Sequence, residues 1–332
     1  MRPPLLHRRC PPLAGSLPFL RLGEGPTPVR RLSGPGTRAE LWTKDESGYG
    51  DGGWGGNKVR KLEWLLPEAR RRRTRTVLTV GGLGTNWGLA AARYAREHGL
   101  EVALGLIDQP VDEHVCAQLE RLRASGASLH FLHTKARLIL TAPWLFARHT
   151  HGLALPYYLP AGGSSPLGTL GAVEIALELG AQVKAGELPE PAWLVTAVGS
   201  GGTAAGLALG LRLAGLRTRV LGVVVNDTLR LDPRSLLKMA RRSAALLRAR
   251  GADLDGAVPA ADAIRVETAW LGDGYAHPTA NGDRALDRAS AEAGLTLERT
   301  YTAKAFAALL DLDAAGRLDG GPVVFLQTHG PR

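Results

Sequence analysis

The chain has little cysteine, few aromatic residues and no long apolar run. Its 332 residues include two cysteines, Cys10 and Cys116, and aromatic residues make up 5%. Two distant cysteines build neither a disulfide framework nor a zinc site, so we expect no metal and a reducing, cytoplasmic setting. No apolar run approaches the roughly 20 residues that a membrane-spanning helix needs, so we expect no association with a membrane.

Lysine is also scarce. The chain has 41 basic residues, of which seven are lysines, and arginine supplies the rest. An arginine side chain cannot lose its proton in a protein, whereas a lysine can, and its free amine forms a Schiff base with an aldehyde. A lysine in an unusual local setting is therefore a candidate for chemistry.

The net charge of +10 does not by itself indicate nucleic-acid binding. The one dense basic run, residues 70–73, ends a predicted helix, where cations complement the helix dipole. No aromatic residues alternate with it, so we expect no nucleic-acid partner. The basic, proline-interrupted N-terminus (residues 1–9) is interpreted as an extended arm, and a cleaved leader is the alternative.

Short apolar runs alternate with helical patterns along most of the chain. Strands are predicted at 41–44, 76–80, 102–107, 128–133, 157–160, 193–198, 220–225 and 323–326. Helices are predicted at 87–97, 113–124, 143–149, 168–179 and 203–213, with Pro143 in a first turn. This alternation predicts doubly wound α/β domains with parallel sheets and helices on both faces. We expect a small domain over residues 57–162 and a discontinuous large domain over 1–56 plus 163–332, with the strand at 41–44 in the large sheet.

The most informative segment is Gly55-Gly56-Asn57-Lys58, at the start of an amphipathic run. Glycines ahead of a helix permit a tight turn and a close approach of the backbone to a ligand. Taken alone, the segment also fits a solvated basic first turn. Lys58 is a candidate amine nucleophile, and the other segments decide between the two interpretations.

A glycine-rich loop, residues 199–203, lies between a predicted strand and a predicted helix. Successive glycines aim backbone N–H groups into one concavity, and the helix N-terminus adds positive potential, so the segment suits a phosphate. It matches neither the dinucleotide fingerprint nor the P-loop. A tight strand–helix turn without a ligand is the alternative.

A second strand–helix junction, residues 81–87, offers Thr85 and Asn86. Parallel sheets place ligands at the carboxyl ends of their strands, so Asn86 is a candidate for binding a ring hydroxyl and Thr85 for a carboxylate. Simple N-capping of the helix by either residue is compatible with this role. Weaker signals follow at 160–165, at 272–275, at 301–304 and at 325–330.

Taken in order, these segments resemble the pyridoxal-phosphate enzymes of the tryptophan-synthase-β type, in the branch of D-cysteine desulfhydrase and 1-aminocyclopropane-1-carboxylate (ACC) deaminase. The resemblance covers nearly the whole chain and depends most on the string 55–63 together with the loop 199–203. It implies two three-layer α/β domains, pyridoxal 5′-phosphate as cofactor, a small amino acid as substrate and a homodimer.

The resemblance also implies a role for individual residues. Lys58 corresponds to the lysine that holds the cofactor. The phosphate cradle corresponds to Gly199, Ser200, Gly201, Gly202 and Thr203. Asn86 corresponds to the partner of the ring hydroxyl, Thr328 to the hydroxyl that faces the pyridine nitrogen, and Tyr275 and Tyr301 to tyrosines beside the substrate.

The implied activity is αβ-elimination on a D-cysteine-like amino acid, giving a 2-oxo acid, ammonia and sulfide. A neutral Thr328 near the pyridine nitrogen favours rapid expulsion of a β-leaving group, and Lys58 is the natural proton shuttle. Cyclopropane ring opening is the alternative, although Thr302 stands where ACC deaminases typically carry glutamate. A catalytically silent cofactor-binding protein is a further alternative, because Trp87 replaces the usual histidine or glutamine and is expected to alter the substrate pocket.

Overall fold

The computed structural model describes residues 3–33, 36–50 and 55–329, whose strands form two sheets. The strands are β1 (Val29–Arg31), β2 (Leu41–Asp45), β3 (Thr76–Gly82), β4 (Glu101–Ile107), β5 (Ser128–His133), β6 (Tyr157–Leu159), β7 (Trp193–Val198), β8 (Arg219–Val224), β9 (Ile264–Glu267) and β10 (Val323–Gln327). The longer helices are α3 (Asn57–Arg71), α4 (Asn86–Glu97), α5 (Glu113–Ala124), α6 (Lys135–Arg148), α7 (Leu170–Lys184), α8 (Gly202–Leu213), α9 (Pro233–Ala249), α10 (Ala280–Ala293) and α11 (Thr302–Ala314). Two short helices, α1 (Leu5–Arg9) and α2 (Leu13–Ser16), precede them.

The larger sheet has six strands in the order β1-β2-β10-β7-β8-β9. Its pairs are parallel except β1–β2, and β10 lies between β2 and β7. The predicted strand at 41–44 therefore belongs to the larger sheet, as expected. Buried side chains run along all of β10, because helices cover both faces of the sheet.

The smaller sheet has four parallel strands in the order β5-β4-β3-β6. Its strands confirm the α/β fold with parallel sheets that the sequence predicts, within two residues at each end. The proposed division into a small domain (57–162) and a large domain (1–56 plus 163–332) remains a proposal, supported by the membership of β3 to β6 in one sheet. Residues 1, 2, 34, 35, 51–54 and 330–332 of that division lie outside the described residues.

Helices α7 and α8 pack unusually closely because glycines face the contact. A Cβ atom at Gly206 would lie 2.3 Å from the carbonyl oxygen of Thr169, and one at Gly210 would lie 2.6 Å from the Cβ of Ala176. Any larger residue would push the two helices apart. This contact fixes the start of α8, which follows the glycine loop.

A buried ionic cluster connects α3 with α7 and β2. Arg60 pairs with Glu46 (Nε–Oε2 2.9 Å) and with Glu178 (Nη1–Oε2 3.0 Å), and Lys44 pairs with Glu178 (Nζ–Oε1 2.9 Å). Burial alone would raise the pKa of Glu178, but Arg60 and Lys44 hold that pKa at about 2. Since losing one partner of such a cluster typically costs about 3–5 kcal/mol, the cluster anchors the helix that carries Lys58.

Two predictions about the chain are wrong. The N-terminus is not an extended arm, because Leu5–Arg9 form α1, with Leu6 fully buried. Pro143 does not lie in a first turn, because α6 begins at Lys135 and includes the proline in its interior. Thr134 caps α6 by accepting a hydrogen bond from the N–H of Arg137 (3.2 Å), a start signal that the sequence analysis missed.

Candidate active site

The carboxyl ends of β3, β7 and β10 meet at one cavity of about 610 Å³. This active-site cavity lies where open parallel sheets place their ligands. Nine of the eleven predicted site residues line it, namely Lys58, Thr85, Gly199, Ser200, Gly201, Thr203, Tyr275, Tyr301 and Thr328. The two that do not line it are Asn86 and Gly202.

Lys58 is the second residue of α3, and the end of β10 fixes its position. The N–H of Asn57 donates to the carbonyl oxygen of Thr328 (3.2 Å). Gly56 precedes it with φ +52°, and a Cβ there would lie 2.2 Å from the same carbonyl oxygen. Only glycine fits this turn, which explains the two glycines in the sequence.

The pKa of the Lys58 amine is lowered toward neutral pH. Burial lowers the pKa of Lys58 from its ordinary value near 10.5 to about 8, and the distant charge of Glu298 opposes this shift in part. The Nζ atom lies 5.7 Å from the centre of the Tyr301 ring. A sizeable fraction of the lysine is therefore uncharged, and able to attack an aldehyde, at moderately alkaline pH.

The glycine loop leads from β7 into the first turn of α8. Gly201 has φ +86°, and a Cβ there would lie 2.5 Å from Cδ2 of Leu236, so the loop requires glycine. The first N–H groups of a helix have no partner within it and carry its positive dipole end, which suits a phosphate.

Ser164 braces this loop from the smaller sheet's side. Its Oγ accepts a hydrogen bond from the N–H of Gly202 (3.0 Å) and lies 2.8 Å from Oγ of Ser200. The amide of Asn57 completes the arrangement by donating to Oγ1 of Thr203 (3.1 Å). The lysine segment and the glycine loop are thus in direct contact, as the hypothesis of a shared cofactor site requires.

The two tyrosines form a hydrogen-bonded pair. The hydroxyl oxygens of Tyr275 and Tyr301 lie 2.7 Å apart, and a Cβ at Gly199 would lie 2.8 Å from the Tyr301 ring. Burial raises the pKa of both phenols, so both keep their protons at neutral pH. The carboxylate of Glu298 accepts the N–H groups of Tyr301 (2.8 Å) and Thr302 (2.7 Å) and so holds the start of α11 in place.

Thr85 and Asn86 point in different directions at the start of α4. Thr85 lines the active-site cavity, and its Oγ1 caps α4 by accepting the N–H of Gly88 (3.1 Å). The Oδ1 of Asn86 instead accepts a hydrogen bond from Nε2 of Gln118, and Asn86 lines a neighbouring cavity. The roles of both residues stay predictions.

A second lysine in the cavity was missed. Lys61 lines the same wall as Lys58, and its Nζ donates to the carbonyl oxygen of Gly162 (2.8 Å). Burial, with a smaller contribution from the charge of Lys58, lowers the pKa of Lys61 to about 7. The signal was available, because residues three apart on a helix share a face and lysine is rare in this chain.

These residues fit a phosphorylated aldehyde. Of the described residues that line the cavity, only Asp108 carries a carboxylate, whereas Lys58 and Lys61 are both cationic at low pH. The glycine loop and the hydroxyls of Ser200 and Thr203 supply donors to a phosphate. The cavity therefore provides an amine that can react with the aldehyde, and positive charge and hydrogen-bond donors that can bind the negatively charged phosphate.

Comparisons with known proteins agree with this chemistry. The sequence profile of the family described as pyridoxal-phosphate dependent enzyme matches residues 20–328. A D-cysteine desulfhydrase of Salmonella paratyphi A is 32% identical over 325 residues, which cover 94% of each chain. A crystal structure of an ACC deaminase homologue superposes with a TM-score of 0.80 at 26% identity, over 99% of this chain and 95% of the other.

A more distant structure, a hydrogen sulfide-producing enzyme of Fusobacterium nucleatum, has the same fold at 15% identity (TM-score 0.61, 94% of this chain and 95% of the other). Within the described residues, no helix is long and apolar enough to cross a membrane, and no group of metal-ligating side chains is found. The predicted resemblance and the predicted cofactor are confirmed. The chain therefore belongs to the family of pyridoxal-phosphate-dependent enzymes and is a lyase that uses this cofactor.

Proposed function

We propose that this lyase catalyses αβ-elimination on a small amino acid resembling D-cysteine and releases a 2-oxo acid, ammonia and sulfide. The relatives named D-cysteine desulfhydrase support this substrate class. One observation carries the choice of reaction: Thr328 lines the cavity, while Thr302 lies buried beside Glu298 and outside it. A neutral hydroxyl at Thr328 would not stabilise a protonated ring of the bound cofactor, which would favour substrates with a good β-leaving group.

The cofactor, when bound, supplies an electron sink for the bond that breaks at the substrate's Cα. Lys58 Nζ is the group that removes the proton at this carbon, and its pKa of about 8 lets it release that proton to the departing sulfide near neutral pH. Both tyrosines stay protonated; one of the two hydroxyls donates to the other, and the hydroxyl that accepts keeps its own hydrogen for the departing sulfur. Elimination then leaves an enamine whose hydrolysis gives the 2-oxo acid and ammonia.

The remaining side chains orient the reactants. The phosphate is bound by the Thr203 hydroxyl and by backbone N–H groups of residues 199–203 other than that of Gly202, which already donates to Ser164. Thr85 with the N-terminus of α4 binds the substrate carboxylate. Asn86 lines the neighbouring cavity and uses its Oδ1 for Gln118, so its Nδ2 becomes the donor for the ring hydroxyl once the side chain turns toward the active-site cavity.

Cyclopropane ring opening is the second candidate, because a homologue of ACC deaminase superposes over almost the whole chain. The absence of a carboxylate at position 302 argues against it. A protein that binds the cofactor without turnover is the third candidate, motivated by Trp87 in the cavity wall.

The deciding experiment incubates the holoenzyme with both enantiomers of cysteine and with ACC. We expect 2-oxo acid and sulfide from D-cysteine and an absorption band near the visible–ultraviolet boundary that Lys58→Ala removes. Lys184→Ala, an exposed lysine on α7, is the matched control and should leave the band intact. Turnover of ACC alone would replace the proposed reaction with ring opening, and a persistent band in Lys58→Ala would refute the role of Lys58.

We also propose that the protein acts as a homodimer in the cytoplasm. Leu140 and Trp144 lie one turn apart on α6 and are 81% and 52% exposed, an apolar surface of the kind that a subunit interface covers. Cys116 is a free, exposed thiol, which suits a reducing compartment. Sedimentation equilibrium of wild type and Leu140→Glu tests the dimer, since a monomeric wild type would contradict it.

A further inference from the structure

A second cavity of about 400 Å³ opens between α4 and α5. It lies next to the active-site cavity, and His329 lines both. Three arginines line the second cavity, Arg93, Arg96 and Arg121. Among its described lining residues only Glu97 carries a carboxylate, and Glu97 already pairs with Arg93 (3.1 Å). Positive charge therefore exceeds negative charge in this cavity.

Part of the lining of the second cavity is apolar. Leu89, Ala90 and Ala92 of α4 form part of its lining. A guanidinium binds a carboxylate through two parallel hydrogen bonds, and the alkyl side chains accommodate a short carbon chain. The one carboxylate among the described lining residues that could pair with a ligand's ammonium group is Glu97, which already pairs with Arg93. A carboxylate without an amine therefore fits better than an amino acid.

Hydrogen bonds connect this cavity with the active site. Arg121 Nη1 donates to Oε1 of Gln118 (2.8 Å), and Nε2 of the same glutamine donates to Oδ1 of Asn86. Asn86 is the first residue of α4, and its neighbours Thr85 and Trp87 line the active-site cavity. A change in the position of Arg121 can therefore shift Gln118, and through it Asn86, whose two sequence neighbours line the active-site cavity.

We infer that the second cavity binds an organic monocarboxylate with a short apolar body, and that binding changes turnover through Gln118 and Asn86. A carboxylate bound to Arg121 competes with Gln118 for the guanidinium. Gln118 then loses one of the two bonds that orient it, and its hold on Asn86 weakens. The inference requires the lyase activity and does not depend on which amino acid is the substrate.

The test uses butanoate as the probe and the holoenzyme with its best substrate, at constant ionic strength adjusted with sodium chloride. We expect butanoate to change kcat as well as KM. Titration calorimetry of the holoenzyme should give a butanoate Kd that Arg121→Gln and, separately, Arg96→Gln raise about tenfold, since each loses a charged hydrogen-bond donor. By reciprocity, a bound substrate analogue changes that Kd by the factor by which butanoate changes the affinity for the analogue.

Arg123→Gln is the matched control, because Arg123 lies on the same helix, pairs with Glu120 at the surface and does not line the cavity. It should leave the butanoate Kd unchanged. Purely competitive inhibition, no binding at tens of millimolar, or an equal Kd in wild type and both cavity variants would overturn the inference. None of these results bears on the elimination reaction itself, which the substrate panel tests separately.

Discussion

The indole N–H of Trp87 donates a hydrogen bond of 2.8 Å to the hydroxyl of Thr79. Thr79 in turn donates to the carbonyl oxygen of Leu159 (2.7 Å), so the ring connects α4 with β3 and β6. A Cβ at Gly163 would lie 2.6 Å from the indole, which shows how tightly the ring packs under that turn. Trp87 thus lines the active-site cavity with apolar atoms, because its one polar atom is already bonded.

We expect Trp87→His to make the enzyme less selective among amino-acid substrates, while cofactor binding persists. Removing the buried ring should lower the free energy of unfolding by about 3 kcal/mol, as for other large-to-small changes in a core. Urea unfolding measures this loss, and KM values across the amino-acid panel measure the change in specificity. Trp144→His on the exposed face of α6 is the control, and equal effects in both variants would contradict a special role for Trp87.

The Asn57–Thr203 hydrogen bond predicts a cofactor-binding phenotype away from Lys58. The Asn57 amide occupies a lone pair of the Thr203 hydroxyl, so the hydroxyl hydrogen is left to point at a phosphate. We expect Asn57→Ala to weaken pyridoxal-phosphate binding about fivefold, the equivalent of about 1 kcal/mol for one hydrogen bond. Absorbance titration of the cofactor-free protein measures it, with the exposed Asn281→Ala as the control.

The lowered pKa of Lys58 predicts how cofactor capture depends on pH. The uncharged amine attacks the aldehyde, so the capture rate of cofactor-free protein should rise with pH and reach half its maximum near pH 8. Glu298→Gln should move this midpoint to lower pH, because the charge of Glu298 favours the ammonium form. Stopped-flow absorbance measures both, and a midpoint near 10 in wild type would show that burial does not affect this amine.

The same shift predicts the pH dependence of stability. Between about pH 8 and 10.5 the unfolded chain keeps a proton on Lys58 that the folded, cofactor-free protein has lost. The contribution of this lysine to the free energy of unfolding therefore increases with pH across that window. Urea unfolding of wild type and Lys58→Met measures it, and parallel pH profiles of the two proteins would contradict the shift.

Glu174 predicts how α1 is held. Its carboxylate accepts the N–H groups of Leu5 (2.9 Å) and Leu6 (2.7 Å), which no residue of α1 itself can satisfy. Glu174→Ala leaves the buried N–H of Leu6 without an acceptor, at a cost of about 1–3 kcal/mol, and also removes the acceptor of the partly buried N–H of Leu5. We expect amide exchange at residues 5–9 to be faster than in wild type, as measured by hydrogen–deuterium exchange. The surface variant Glu292→Ala should exchange at the wild-type rate there.

Much of the fold was predictable because its strands are short, apolar and bounded by turn residues. The strands at 128–133 and 193–198 match the prediction residue for residue. The positions of helices were predicted less accurately where a side chain distant in sequence, or an N-cap, determines where the helix forms. Leu5–Arg9 became helical because Glu174, far along the chain, accepts its N–H groups, and α6 began eight residues early because Thr134 caps it.

Much of the site was also predictable, since its motifs are local. Gly56 and Gly201 adopt left-handed backbone conformations that other residues rarely adopt, so glycine marks these turns in the sequence itself. Lys61 and Ser164 were harder, because their importance comes from Gly162 and Gly202, which approach them only in the folded protein.

The amino-acid sequence by itself determined the α/β alternation, the turns that need glycine, and the presence of an amine and a phosphate-binding loop. These are properties of neighbouring residues, which local backbone geometry controls. Only the tertiary structure decided that Lys58 has a lowered pKa, that Asn86 faces Gln118, and that Trp87 is bonded to Thr79. Burial and hydrogen bonding depend on which distant segments pack together, and that packing also determines whether a side chain faces the active-site cavity or its neighbour.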